Sequence, residues 1–302
     1  MNRMIHDIQK LKTEKDAVIL AHYYVDEEIQ EIADYIGDSF YLSQIATEVP
    51  HDTIVLCGVT FMGESAKLLN PHKTILIPNS SASCPMADMA SIEKIQAVKE
   101  EYNDLAVVCY INSTAEIKSY SDVCVTSANA LKIVSNLPNQ HIYFIPDENL
   151  GRYIASQLPE KHFIFDDGFC HVHAEITKEE VLQSKELNPN AQILVHPECT
   201  PDVVQLGDYV GSTSGIIQYA TESTCTDFIV CTEIGILHQL KKKNPQKHFY
   251  TANSIQYCPN MKRITLNQVH DVLKNSLNSV SLDEETSSAA NLPLHRMLEL
   301  AQ

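Results

Sequence analysis

Three stretches of the chain decide its fold: AHYYVDEEIQEIADYIGDSF (Ala21–Phe40), CYINSTAEIKSYSDVCVTSA (Cys109–Ala128) and VHPECTPDVVQLGDYVGSTS (Val195–Ser214). They align with one another. His22, Tyr110 and His196 share one position, and Ser39, Ser127 and Thr213 share another, seventeen residues further on in each stretch. Working outward, a cysteine follows the first position after 62, 60 and 62 residues, at Cys84, Cys170 and Cys258. A fold made by triplicating one unit brings equivalent positions together about an axis. Three cysteines would then converge on one point, which suggests a three-thiolate metal site facing a cavity lined by His, Tyr and Ser/Thr.

Around these stretches, short apolar runs alternate with helical patterns. The runs AVILAHY, TIVLCGV and KTILIP, with a weaker YIGDS, fall in the first third. LAVVCYI, DVCVTS, HIYFIP and KHFIF follow in the second, and QILVHP, DYVGST, DFIVCT and KHFYTA in the third. Continuous rather than alternating apolar runs are those of parallel strands covered on both faces. The expected fold is therefore α/β: three similar α-β-α domains with parallel sheets, arranged with pseudo-three-fold symmetry around a central cavity. The units span 1–84, 85–170 and 171–302, the last carrying the C-terminal helices. Asn70-Pro71, Leu158-Pro159 and Asn244-Pro245 end the last helix of each unit, because the residue before proline resists the helical region. Thr177 and Glu180 predict a capping box. The stretch Ser281–Ala290 reads as loop, with PLHRMLELA as a terminal helix.

Charge and cysteine usage narrow the function. With 22 Lys+Arg against 39 Asp+Glu, the net charge of −17 repels a phosphodiester backbone, and no basic stripe offsets it. A small anionic substrate remains compatible, since helix N-termini bind anions without net positive charge. No apolar run reaches the roughly 20 residues of a membrane span, and the N-terminus reads as an amphipathic helix, which places the chain in the cytoplasm. Nine cysteines in a reducing compartment argue against disulfides. Cys57, Cys109, Cys124 and Cys231 fall in strands and read as small buried hydrophobes. Cys199 and Cys225 read as incidental loop residues. Cys84, Cys170 and Cys258 remain.

In parallel α/β units ligands bind at the carboxyl ends of the strands. After the first strand of each unit come His22-Tyr23-Tyr24, Tyr110-Ile111-Asn112 and His196-Pro197-Glu198; after the second come Ser39, Ser127 and Thr213. Any one hydroxyl alone would be read as a helix N-cap. Three at equivalent positions point to an anion-binding ring. Structural zinc sites use close pairs and four ligands, whereas three isolated thiolates suit a cubane cluster with one open iron. Cys170 and His173 could form a metal pair, or His173 could contact substrate.

CPMADM (Cys84–Met89), AHYY with GDS, HPEC, GSTSG and YCPNMK (Tyr257–Lys262) together resemble the quinolinate synthase family over nearly the whole chain. The resemblance implies one [4Fe-4S] cluster per chain held by Cys84, Cys170 and Cys258. It also implies condensation of iminosuccinate with dihydroxyacetone phosphate to quinolinate, in NAD biosynthesis. His22, Ser39, Tyr110, Asn112, Ser127, His173, His196, Glu198 and Thr213 would hold the substrate, with Glu198, Tyr24, His22, Tyr110 and His196 as acids and bases. A functional link to the enzyme that makes iminosuccinate would follow. Some family members carry CxxCxxC around the third ligand; here Ala252 and Ile255 stand at the other two positions, so no local disulfide is available to Cys258. The rival readings are another iron–sulfur hydro-lyase, an iron–sulfur redox sensor, or a zinc-stabilised binding module. A sensor would not need the His/Tyr/Asn/Glu lining.

Overall fold

A computed structural model describes residues 2–253 and 255–302. It contains three four-stranded parallel sheets of one topology. The first comprises β1 (Ala17–His22), β2 (Tyr35–Gly37), β3 (Thr53–Cys57) and β4 (Thr74–Leu76), in the order β2-β1-β3-β4. The second comprises β5 (Leu105–Tyr110), β6 (Val123–Val125), β7 (His141–Ile145) and β8 (His162–Phe165), in the order β6-β5-β7-β8. The third comprises β9 (Gln192–Val195), β10 (Tyr209–Val210), β11 (Asp227–Cys231) and β12 (His248–Thr251), in the order β10-β9-β11-β12. All pairings are parallel. The fold class expected from the apolar runs is the one observed, and every residue of β1 is buried, as strands covered on both faces require.

The same local devices recur in each unit. The second strand is short and at an edge, and an aspartate just before it locks it to the first. Asp34, Asp122 and Asp208 each donate a backbone N–H to a carbonyl of the neighbouring strand, at Ile19, Val107 and Ile193. The carboxylate then accepts the N–H of that same residue at 2.8, 2.7 and 2.7 Å. A side chain thus supplies a rung that a two- or three-residue strand lacks. At the end of each unit's last helix, Asn70, Leu158 and Asn244 adopt nearly one conformation (φ/ψ −134/67, −129/64 and −132/65), as the following proline dictates. Three residues on, Lys73, Lys161 and Lys247 donate to the orphan carbonyls at the end of the preceding helix.

The predicted Thr177/Glu180 capping box is present, and Thr265 forms a second with Gln268. The C-terminal reading needs correction. Residues from 284 onward are one helix, Glu284–Leu300, with Asp283 accepting from the Thr286 N–H at 2.8 Å and Pro293 inside it. The polar DEETSS run is the capped, acid-rich first turn of a helix rather than a loop. Pro293 removes one helical donor without ending the helix, because this segment packs against Ala115–Ser119, β6 and the helix Thr60–Leu69. Leu266–Asn275 likewise packs against the N-terminal helix Asn2–Glu14. Apolar side chains of the first two units and the C-terminal helices share one continuous core, while the two faces of the third sheet have separate ones. No helix among the described residues is long and apolar enough to cross a membrane.

Candidate active site

All three sheets turn residues from the carboxyl ends of their strands into one cavity with about 770 Å³ of empty space, part of it open to solvent. Every site residue expected from the sequence lines it: His22, Tyr24, Ser39, Tyr110, Asn112, Ser127, His173, His196, Glu198, Thr213 and the cysteines Cys84, Cys170 and Cys258. The hydroxyls are not helix caps. Asp38 and Ser212 perform that role, accepting from the Tyr41 and Gly215 N–H groups at 3.0 and 3.1 Å. Ser39 and Thr213 are the next residues, in the first turn of their helices. At Ser127 the turn is closed instead by Asn129, whose side chain accepts the Thr126 N–H at 2.7 Å. All three hydroxyls are thereby left to face the cavity.

The two histidines at equivalent positions are held in one way. His22 Nδ1 accepts the Tyr24 N–H at 3.1 Å, and His196 Nδ1 accepts the Glu198 N–H at 3.3 Å. Each ring therefore carries its proton on Nε2, and His196 Nε2 points at Ser127 Oγ, 3.2 Å away. Burial pushes both down to about 3, against the pull of Glu198, so both are neutral at pH 7. Glu198 behaves oppositely. Burial disfavours its charge, but the neighbouring His173 and His196 and the Tyr110 hydroxyl outweigh that and bring it to about 2. A neutral His196 contributes little charge to this, and its Nδ1 is 3.7 Å from the carboxylate; His173, with Nδ1 at 2.7 Å, is the partner that matters. From there a chain of contacts continues: His173 Nε2 to Thr232 Oγ1 at 2.8 Å, Thr232 Oγ1 to the Tyr24 hydroxyl at 2.9 Å, and that hydroxyl to Thr213 Oγ1 at 2.8 Å. Burial and Glu198 raise Tyr24 and Tyr110 well above the usual phenol range, so both are proton-bearing.

All three cysteines line this cavity. Cys170 Sγ lies 3.2 Å from His173 Nδ1. Charge on Cys258 is felt at Cys84, and charge on Cys84 at Cys170. Backbone N–H groups of the following turn lower each thiol against burial: those of Met86 and Ala87 at Cys84, His173 at Cys170, and Asn260 and Met261 at Cys258. Such donors favour thiolates, although burial raises each thiol when no metal is bound. Among the described residues, the group of three ligand atoms within 4.8 Å of one another is Cys170, His173 and Glu198. The three sulfurs do not all lie within 4.8 Å of one another, whereas three ligands of a single tetrahedral zinc would sit roughly 3.8 Å apart. Cys199, expected in a loop, is fully buried and packs in the third unit's core.

Sequence reasoning missed Asp38, Thr232, Asp147 and Glu233. Asp38 lines the cavity with one buried carboxylate oxygen lacking a partner, as does the Asn112 side-chain oxygen. Thr232, Asp147 and Glu233 follow the third strand of their units, at β11 and β7. Aligning the ends of the third strands exposes them, just as aligning the first and second exposes the other lining residues.

Comparison with known proteins shows the family. The family model for quinolinate synthetase A protein matches residues 6–299. Quinolinate synthase of Clostridioides difficile strain 630 is 51% identical over 299 residues, covering 99% of this chain and 98% of that protein. The enzyme of the same name from Caldicellulosiruptor saccharolyticus is 50% identical over 301 residues, covering 100% and 99%. That from Aquifex aeolicus is 46% identical over 300 residues, covering 98% and 93%. The chain belongs to the quinolinate synthetase A protein family.

Proposed function

We propose that this protein is a quinolinate synthase of NAD biosynthesis, condensing iminosuccinate with dihydroxyacetone phosphate to give quinolinate, phosphate and water. The observation that carries the reading is the convergence of three cysteines and ten polar residues, contributed by all three units, on one cavity. Three thiols lining one cavity, one from each unit, suit a [4Fe-4S] cluster held by Cys84, Cys170 and Cys258. When bound, such a cluster offers one iron without a protein ligand as a Lewis acid for a substrate hydroxyl or carboxylate.

The chain's own residues supply binding and proton transfer. Among the described residues, the cavity lining contains no lysine or arginine. Carboxylate and phosphate groups are therefore met by neutral donors: the Ser39, Ser127 and Thr213 hydroxyls, Asn112, and the Nε2–H of His22 and His196. Glu198, ionised and buried, is the base for carbon acids of the substrates. A proton it takes can be redistributed through His173 and Thr232 to Tyr24, because those four groups are joined by contacts of 2.7, 2.8 and 2.9 Å. Tyr24 and Tyr110, kept protonated, serve as acids for the departing hydroxyls of the dehydrations.

The test is turnover of anaerobically reconstituted protein with iminosuccinate and dihydroxyacetone phosphate, beside iron and sulfide analysis. Quinolinate formation is expected, and Glu198→Gln should lose at least about 100-fold in kcat while retaining its iron. Intact cluster without quinolinate would overturn the assignment, and full activity in Glu198→Gln would overturn the role of Glu198.

A further inference from the structure

The third strands of the three units, β3, β7 and β11, end in a repeated arrangement that reaches each cysteine. Three residues past each strand stand Thr60, Glu148 and Ile234; their N–H groups donate to the carbonyls of Ala82, Gly168 and Gln256 at 2.9, 2.8 and 2.9 Å. In every unit the acceptor is the second residue before the cysteine. Each cysteine loop is thus tied to its sheet by one backbone bond in the same register.

Two of the three loops have a second tie. The residue just before each donor is Val59, Asp147 or Glu233. Asp147 Oδ2 accepts the N–H of Cys170 at 3.2 Å, and Glu233 Oε1 accepts the N–H of Cys258 at 3.0 Å. Both carboxylates are fully buried. The other oxygen of each is occupied too: Asp147 Oδ1 by the Leu150 N–H at 2.7 Å, Glu233 Oε2 by the Gly235 N–H at 2.6 Å. Gly235 is required there, since a Cβ would come within 2.6 Å of the Tyr23 carbonyl oxygen and 2.8 Å of Glu233 Oε2. Lys262 sits 3.3 Å from Glu233 Oε1 and donates to the Tyr24 carbonyl at 2.8 Å, which joins the Cys258 loop to the first unit beside the cavity. Val59, at the equivalent place in the first unit, has no acceptor to offer the Cys84 N–H.

We propose that Asp147 and Glu233 are positioning residues that lock the peptides of Cys170 and Cys258 for metal binding, and that the Cys84 peptide is the arm that yields: its loop is tied to its own sheet through Ala82 and to the Cys258 segment through Ser81 and Asn79 with Arg263, but no carboxylate holds the Cys84 N–H. The idea rests on the reading of the cysteines as cluster ligands, but the anchoring itself is a property of the metal-free chain. A burial-constrained carboxylate accepting a peptide N–H is a strong, directional restraint. Two such restraints and one absence make the three ligands mechanically unequal.

Hydrogen exchange by mass spectrometry, on the full-length metal-free protein, tests the anchoring, and iron release to a chelator from the reconstituted protein tests its consequence. In the wild type, exchange should be fastest in the Cys84 peptide. Asp147→Ser keeps a cap for Leu150 but is too short for Cys170. It should speed exchange at the Cys170 peptide at least about tenfold and leave the other two loops unchanged. Glu233→Met should do the same at Cys258, and both variants should release iron at least about tenfold faster. Should Glu233→Met fail to fold, Asp147→Ser decides by itself. Unchanged exchange at the targeted cysteine, equal acceleration at all three loops, or wild-type iron release would each overturn the proposal. Wild-type protein that takes up no iron would overturn the cluster reading instead, with the exchange pattern still deciding the anchoring.

Discussion

Lowering the pH of the metal-free protein from 7.5 to 5.5 should destabilise it through the two cavity histidines, by an amount that follows from their burial. An unfolded histidine takes a proton below pH 6.5, whereas His22 and His196 in the folded chain hold out to about 3. For a histidine whose folded pKa is depressed, the unfolded state binds more protons throughout that interval, so stability falls as pH falls through 6.5. At pH 5.5 the unfolded state gains about 1.4 kcal/mol per histidine, a figure insensitive to the folded value once that lies near or below about 4.5. At pH 7.5 the gain is under about 0.1 kcal/mol. Glu198 is silent here: its contribution is lost only as pH falls from the unfolded value of 4.5 towards about 2. Asp147 and Glu233, raised by burial, act in the opposite sense, so the informative quantity is the difference between proteins. In His22→Asn the amide oxygen can still accept the Tyr24 N–H that Nδ1 takes at 3.1 Å. The assay is thermal or urea unfolding of wild type, His22→Asn and His196→Asn at both pH values. Each variant should lose about 1.4 kcal/mol less than wild type on acidification, or about 2 °C less in Tm for a chain of 302 residues. Equal losses in wild type and both variants would refute the claim that these rings are buried neutral.

Two further outcomes follow from particular hydrogen bonds. Thr232→Val severs the only hydroxyl shared by His173 and Tyr24 among the described contacts; kcat should fall at least about tenfold, Thr232→Ser should restore most of it, and an active valine variant would exclude the relay. Asp122→Ala leaves the Val107 N–H without its 2.7 Å carboxylate partner and should cost about 1–2 kcal/mol in urea unfolding, with no change in the cysteine loops' hydrogen exchange.

Much was legible in the sequence because the molecule repeats itself. Once Ala21–Phe40, Cys109–Ala128 and Val195–Ser214 are aligned, the strands of each unit, their end residues and the three cysteines fall out together, since covered parallel strands are written as continuous apolar runs. Local backbone rules were equally readable: the pre-proline helix ends and the Thr177 capping box depend on neighbours within a few residues. The C-terminal helix was not, because its interior Pro293 is tolerated only through packing against the first two units, which local pattern does not encode.

The sequence by itself determined three α/β units, thirteen candidate site residues and the resemblance to quinolinate synthases, because residue type and spacing carry that information. Only the tertiary structure decided which groups act on which. It showed that Asp38 and Ser212 cap the helices and leave Ser39 and Thr213 free, and that His173 rather than His196 is the near partner of Glu198. It also placed Thr232 between His173 and Tyr24, and set Asp147 and Glu233 behind two cysteines of three. Apart from the two local caps and the His196 contact, these join residues 23 to 208 apart in the chain, and all are settled by angstrom-scale distance and by burial that makes an unpaired polar group costly.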